Sequence, residues 1–106
     1  MSKKTITSNT SMLILQLISE KEQYGYQIIK ELASRSCHVF VLKEGTLYPI
    51  LHALEEEGSI EAFEQVAENG KFRKYYRITK KGEKQLKCKK EEWNTYHKAI
   101  NQVINN

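Results

Sequence analysis

Glu44-Gly45-Thr46-Leu47-Tyr48-Pro49-Ile50-Leu51-His52-Ala53-Leu54-Glu55-Glu56-Glu57-Gly58 is the stretch whose reading decides the fold. Leu47, Ile50, Leu51 and Leu54 follow the i, i+3, i+4, i+7 spacing that turns one helix face into a core. Pro49 is tolerated in the first turn of a helix starting near Thr46, where a missing N–H costs nothing. Gly58 is a natural stop. The opposite face carries Pro49, His52 and Glu56, with Tyr48 at its edge. Further on, Gly70-Lys71-Phe72-Arg73-Lys74-Tyr75-Tyr76-Arg77 is basic and rich in aromatics. A short helix able to enter a groove, followed by a cationic hairpin, is an arrangement for gripping DNA.

Around this stretch the order is helix, helix, helix, hairpin, long helix. Residues 1–8 read as a polar arm. Residues 9–19 read as a helix whose apolar residues, from Met12 to Ile18, surround it almost completely. Such a helix must be buried on more than one side, and in a small domain the second side faces another chain. Residues 21–23 read as a polar turn. A second helix opens at Tyr24-Gly25-Tyr26, runs to about residue 34, and buries Ile28, Ile29 and Leu32. Residues 35–43 connect it to the third helix, with 39–42 a candidate short strand. Residues 60–66 have β character, Asn69-Gly70 signals a hairpin turn, and residues 72–78 return. Alternation there sets Phe72, Tyr76 and Ile78 opposite in parity to Arg73, Tyr75 and Arg77.

Thr79 opens the last helix, which runs to about Ile104. Leu86, Trp93 and Ile100 recur every seven residues, with Lys89, Tyr96 and Val103 as the companion set. That is a two-helix seam with one polar interruption. At 1.5 Å per residue the helix is roughly 37 Å long, too long for so small a domain to cover. A partner chain is the simplest remedy. The expected fold is mainly α with a small β-hairpin: a winged helix-turn-helix over residues 1–78 and a C-terminal dimerisation helix over 79–106, in one compact unit.

The 106 residues fit one domain, and a net charge of +4 is modest. Its distribution says more. From Glu55 to Glu68 every charge is negative, and from Lys71 to Lys81 every charge is positive. Segregation of this kind attracts polyanions locally although the total is small. Cys37 and Cys88 do not form a disulfide scaffold or a zinc pattern, and His38, His52 and His97 lack ligand spacing. The sequence contains no aspartate. No nucleophile–base pair, metal cluster or phosphate loop is visible. The expectation is a non-enzyme with no metal and no cofactor. Reduced thiols, and the lack of a signal peptide or an apolar spanning run, imply a cytoplasmic protein with no membrane partner.

Tyr24-Gly25-Tyr26-Gln27-Ile28, Glu44-Gly45-Thr46-Leu47-Tyr48-Pro49, Leu54-Glu55-Glu56-Glu57-Gly58 and the run Arg73-Lys74-Tyr75-Tyr76-Arg77-Ile78-Thr79-Lys80-Lys81-Gly82 resemble the signature blocks of the PadR family. These are bacterial winged-helix transcription regulators. The resemblance runs from about residue 9 to the C-terminus and fits the short form with one C-terminal helix. It implies a homodimer, held by the last helix against the partner's first helix, that represses by binding a palindromic double-stranded DNA operator. It further implies that the third helix enters the major groove and the wing reaches the backbone or minor groove. Two departures stand out. Ala53 occupies a position where the family often has arginine, and Gly70-Lys71-Phe72 replaces the usual small residues at the wing tip.

Lys71, Arg73 and Lys74 are the candidate phosphate contacts, since phosphates position and base edges specify. Thr46 and Tyr48 stand at the third helix's N-terminal end, where the dipole favours a phosphate. Lys43, Tyr24 and His52 complete the DNA-binding set. The glutamates at the helix's other end should be kept away from DNA, which predicts docking N-terminus first. Trp93 reads as a packing anchor on the dimer seam. Multidrug-binding members of the resembled family suggest a second role, stacking a planar aromatic effector in a central pore. Ser11, Met12, Leu15, Lys90, Tyr96, His97 and Ile100 are the companions of Trp93 in that effector or dimer region. His97 stands where those members carry an acidic residue. The main alternative reading is a protein-interaction module on a winged-helix scaffold without specific DNA binding.

Overall fold

The computed structural model describes residues 3–106, with side chains from Asn9 onward. Four helices and three strands follow in the order α1 (Lys3–Glu20), β1 (Gln23–Tyr24), α2 (Gly25–Arg35), α3 (Glu44–Glu56), β2 (Ile60–Val66), β3 (Phe72–Ile78) and α4 (Lys80–Ile104). Ile14, Leu15, Leu17 and Ile18 of α1 meet Ile28 and Leu32 of α2, Leu47, Leu51 and Leu54 of α3, and Ile60, Tyr76 and Leu86 in one core. Fully burying a leucine contributes about 1.5–3 kcal/mol, so three leucines anchor α3 by one face.

Where the structure departs from expectation, the cause is local. The helix starts at Lys3, so residues 3–8 belong to α1 instead of a polar arm. No glycine or proline interrupts them. Residues 1 and 2 of that arm lie outside the described residues. Residues 39–42 form no strand. The extra strand is instead β1, made of Gln23 from the expected polar turn and Tyr24 from the expected start of the second helix. It pairs antiparallel with β3, Gln23 opposite Tyr76 and Tyr24 opposite Tyr75, giving the sheet order β1-β3-β2. Gln23 is buried there because its amide donates to the Leu17 carbonyl at 2.7 Å and closes the end of α1. Because α3 begins at Glu44, Pro49 lies in the second turn, not the first. It has no N–H to offer the Gly45 carbonyl one turn earlier, and Gly45 faces open space.

Both HTH helices end in the same way. Gly58, at φ +79°, allows Ser59 N–H to reach the Leu54 carbonyl at 2.9 Å and Gly58 N–H to reach the Glu55 carbonyl at 3.0 Å. This pair of bonds is a Schellman cap. After α2 the same pair runs from His38 to Ala33 and from Cys37 to Ser34, although Cys37, at φ +52°, occupies the glycine position. In the hairpin the turn is a three-residue loop. Gly70 N–H and the Lys71 carbonyl both bond Ala67, and Gly70 takes φ +81°. Thr79 then caps α4. Its hydroxyl accepts from Gly82 N–H at 3.0 Å and donates to the Gly58 carbonyl at 2.6 Å. The fold is thus three helices, a small three-stranded sheet and a long helix. Beyond Leu86, no residue of α4 is buried.

Candidate nucleic-acid interface

Tyr48, His52 and Glu55 follow one another at i, i+4 and i+7 on α3, beside the buried stripe. With Pro49 they face Lys74 and Tyr76 of β3 across a hollow between helix and wing. Tyr48 closes one end of it. A Cβ placed on Gly25 would lie 2.5 Å from the Tyr48 hydroxyl, so α2 must open with glycine for the ring to sit there. Lys74 Nζ stands 3.9 Å from Glu55 Oε1 and 5.8 Å from the centre of the Tyr76 ring. Burial, then the Glu55 carboxylate, then Tyr48 push the Tyr76 phenol above its ordinary pKa, so it stays protonated. His52 Nε2 lies 3.3 Å from Glu56 Oε1 on the exposed side.

The other face of the sheet carries a ladder of rings and guanidinium groups. Tyr24 meets Tyr75 edge-on at 5.3 Å, and Phe63 lies 5.8 Å from Tyr75. Arg73 sits 5.6 Å from the Tyr24 ring and Arg77 sits 4.5 Å from the Phe63 ring. Arg77 also pairs with Glu61 at 3.3 Å and Glu22 at 3.8 Å. These contacts go with the burial of Tyr75 on that face.

The eight DNA-binding candidates therefore fall into four places. Tyr48, His52 and Lys74 share the hollow between α3 and the wing. Tyr24 and Arg73 pair on the outer sheet face. Lys43 and Thr46 are exposed at the N-terminus of α3, where Thr46 N–H bonds the Lys43 carbonyl. Lys71 is exposed at the hairpin loop. Of the glutamates expected to be kept away from DNA, Glu55 lines the hollow because it lies two turns beyond Tyr48 on the same stripe. That spacing was the available signal. Phe72 departs from the expected alternation. It shares the core parity of Tyr76, yet it is 74% exposed because the wing extends past the core and leaves it paired only with Val66.

The effector candidates divide similarly. Met12, Lys90 and Trp93 line one cavity of about 370 Å³ between α1 and α4, together with Phe40 and Arg35 from the end of α2 and its connector. Lys90 donates to Gln16 across it at 3.1 Å. Trp93 stacks on His97, with ring centres 4.6 Å apart and planes 11° from parallel. Leu15 does not line the cavity. It is fully buried in the core, because α1 turns that side toward α2 and α3. Ser11 is half-buried outside the lining, Tyr96 lines a shallow hollow near Cys88, and Ile100 lies further along α4. Among the described residues no group of three or more His, Cys, Asp or Glu could hold a metal, and no helix is long and apolar enough to cross a membrane.

The family model of the PadR-like transcriptional regulators matches residues 14–88. The chain belongs to the PadR-like family of transcriptional regulators. The match takes in α2, α3 and both wing strands, so it covers the whole proposed interface. A transcriptional regulator from Clostridium thermocellum is similar, at 37% identity and TM-score 0.84 over 96% of this chain and 99% of that one. So is a PadR-like transcriptional regulator from Bacillus cereus, at 30% identity and TM-score 0.86 over 98% and 99%. In sequence, an uncharacterized protein of Lysinibacillus sphaericus is 41% identical over 88 residues, 83% of this chain and 81% of that one. This PadR-like chain has the family's winged-helix fold with a C-terminal helix, and transcriptional regulation is the family's activity.

Proposed function

We propose that the protein is a cytoplasmic, homodimeric repressor without catalytic activity that binds a palindromic operator. The observation that carries this is the hollow between α3 and the wing, where Tyr48 and His52 of a groove-sized helix stand beside Lys74 of a basic hairpin. Thr46 and Lys43 at the N-terminus of α3 point the reading end of the helix at DNA, and Lys71, Arg73, Lys74 and Tyr24 serve the phosphates. The dimer reading is supported by α4. Trp93, Tyr96, Ile100, Val103 and Ile104 are 38–79% exposed on one chain, which is apolar surface that a second copy would cover. Residues 1–78 would then form the DNA-binding part and 79–106 the dimerisation helix.

Ligand response is supported by the cavity beside Trp93, whose flat ring and apolar neighbours Met12 and Phe40 suit a planar aromatic effector. Phe40 lies in the connector that leads to α3, so a bound ring has a direct route to the reading helix. A planar dye should quench Trp93 fluorescence saturably, and a panel of such dyes without quenching counts against the effector.

Selection of binding sites from a random duplex library tests the operator reading. The expected product is an inverted repeat whose half-sites lie about one helical turn, ~34 Å, apart. Enrichment of single, unpaired half-sites would refute the palindromic dimer, and no enrichment would refute specific binding.

A further inference from the structure

We propose that Glu55 is a positioning residue that holds Lys74 against α3 and so caps the protein's sequence-blind affinity for DNA. This rests on the DNA-binding reading above and refines the role given there to Lys74. A winged domain makes its sequence-blind contacts with cations aimed at phosphates. Each cation that neutralises a phosphate adds about 0.9 to the slope of log affinity against log salt. Among the described residues, Lys71 and Arg73 have no carboxylate ion pair, whereas Lys74 does. Its ammonium lies 3.9 Å from Glu55 Oε1 and over the edge of the hollow at Tyr76, turned toward the helix.

Glu55 acts twice on an approaching backbone. It occupies the nearest cation, and it adds a carboxylate to the surface that phosphates must meet. The side chains of Lys74 and Glu55 are 57% and 36% exposed, so water screens the pair and it can open. The contact is a restraint and not a lock. Glu64, opposite Lys74 in the β2–β3 ladder, lies on the same sheet face, but no ion pair joins it to Lys74. The consequence is a lower background. A genome offers on the order of 10⁶ or more competing sites, so a uniform rise in affinity would hold the regulator away from its operator.

The test is fluorescence anisotropy on a random-sequence duplex and on a selected operator, across a salt series, with the full chain and the variants Glu55→Gln, Lys74→Ala and their combination. Glu55→Gln should bind both duplexes about 8-fold tighter near 0.1 M salt, with a slope steeper by about 0.9. Lys74→Ala alone should change the slope by less than half of that, and in the Glu55→Gln background it should remove the gain. A merely structural Glu55 would alter the melting temperature and leave the salt slope unchanged, which overturns the proposal. So does a gain confined to one duplex, which would make Glu55 a base reader. If Glu55→Gln does not fold, Lys74→Ala decides, because a full slope loss of about 0.9 in the wild-type background shows Lys74 already on a phosphate. Failure of wild type and variants alike to bind either duplex at low salt refutes the DNA-binding reading itself.

Discussion

Gly82→Ala is the substitution for which the structure gives the sharpest expectation. Gly82 lies in the first turn of α4, against the loop that leaves α3. A Cβ there would stand 2.0 Å from the Ser59 carbonyl oxygen, 2.8 Å from Ile78 Cγ1 and 3.0 Å from the Ser59 carbonyl carbon. Two of these atoms are backbone, so no rotamer change relieves the overlap and α4 must move off by about an ångström. The move strains the Thr79 cap. Thr79 N–H bonds the Ser59 carbonyl at 3.0 Å and the Thr79 hydroxyl bonds Gly58 at 2.6 Å. Each such bond contributes about 1 kcal/mol, and overpacking costs about 1–3 kcal/mol. Alanine returns about 1 kcal/mol of helix propensity. The net expectation is a loss of about 2–4 kcal/mol, or a melting temperature lower by on the order of 10–20 °C.

Gly45→Ala is the control. It lies in α3, where a Cβ would meet no atom within 4 Å, and the substitution should gain about 0.5–1 kcal/mol. Thermal unfolding followed by circular dichroism, at one fixed protein concentration, measures both. A Gly82→Ala variant that melts within a few degrees of wild type, or a Gly45→Ala variant that falls as far, would refute this reading of the packing.

Three further outcomes follow from the geometry. Arg73→Ala should weaken binding to every duplex and lower the salt slope by about 0.9; an unchanged slope in the same anisotropy titration would remove Arg73 from the phosphate contacts. Cys37→Gly should raise stability in chemical denaturation by about 1 kcal/mol, because Cys37 sits at φ +52° where glycine is unstrained; a loss would mean that the thiol makes a contact worth more than the strain. Glu20 is held below the ordinary carboxylate range by hydrogen bonds from Arg35 and Gln16. Its stabilisation is therefore present above that range and is lost as the pH falls through the lowered value. The pair is exposed, so the effect is small. Glu20→Gln should lower stability slightly at neutral pH, leave it unchanged at the acid end, and so flatten the acid limb.

Periodicity made most of this fold legible. The leucines of α3 follow a repeat that burial imposes, and the structure buries Leu47, Leu51 and Leu54. The elements α4 and β3 are present as expected, but of the α4 seam only Leu86 is buried, and in β3 the adjacent Tyr75 and Tyr76 are both buried. What escaped depends on pairing between distant segments. Gln23–Tyr24 is too short to carry a period, and it becomes a strand only because β3 offers an edge and the Leu17 carbonyl takes the Gln23 amide. The connector at 39–42 has β-branched residues but forms no strand. At the site, charge segregation pointed to the basic wing, but it grouped Glu55 with the acidic run. Only the packing of β3 across α3 brings Glu55 to Lys74. Arg73 and Lys74, adjacent in sequence, end on opposite faces of the sheet, which alternation implies but a list of cations conceals.

The most direct test of the account is anisotropy with labelled DNA from upstream of the protein's own gene, against a scrambled duplex, over a salt series. Tight binding that prefers the upstream sequence and weakens steeply with salt is the expected result. Equal affinity for both duplexes at every salt concentration, or no binding even at low salt, would contradict a sequence-specific regulator acting through α3 and the wing.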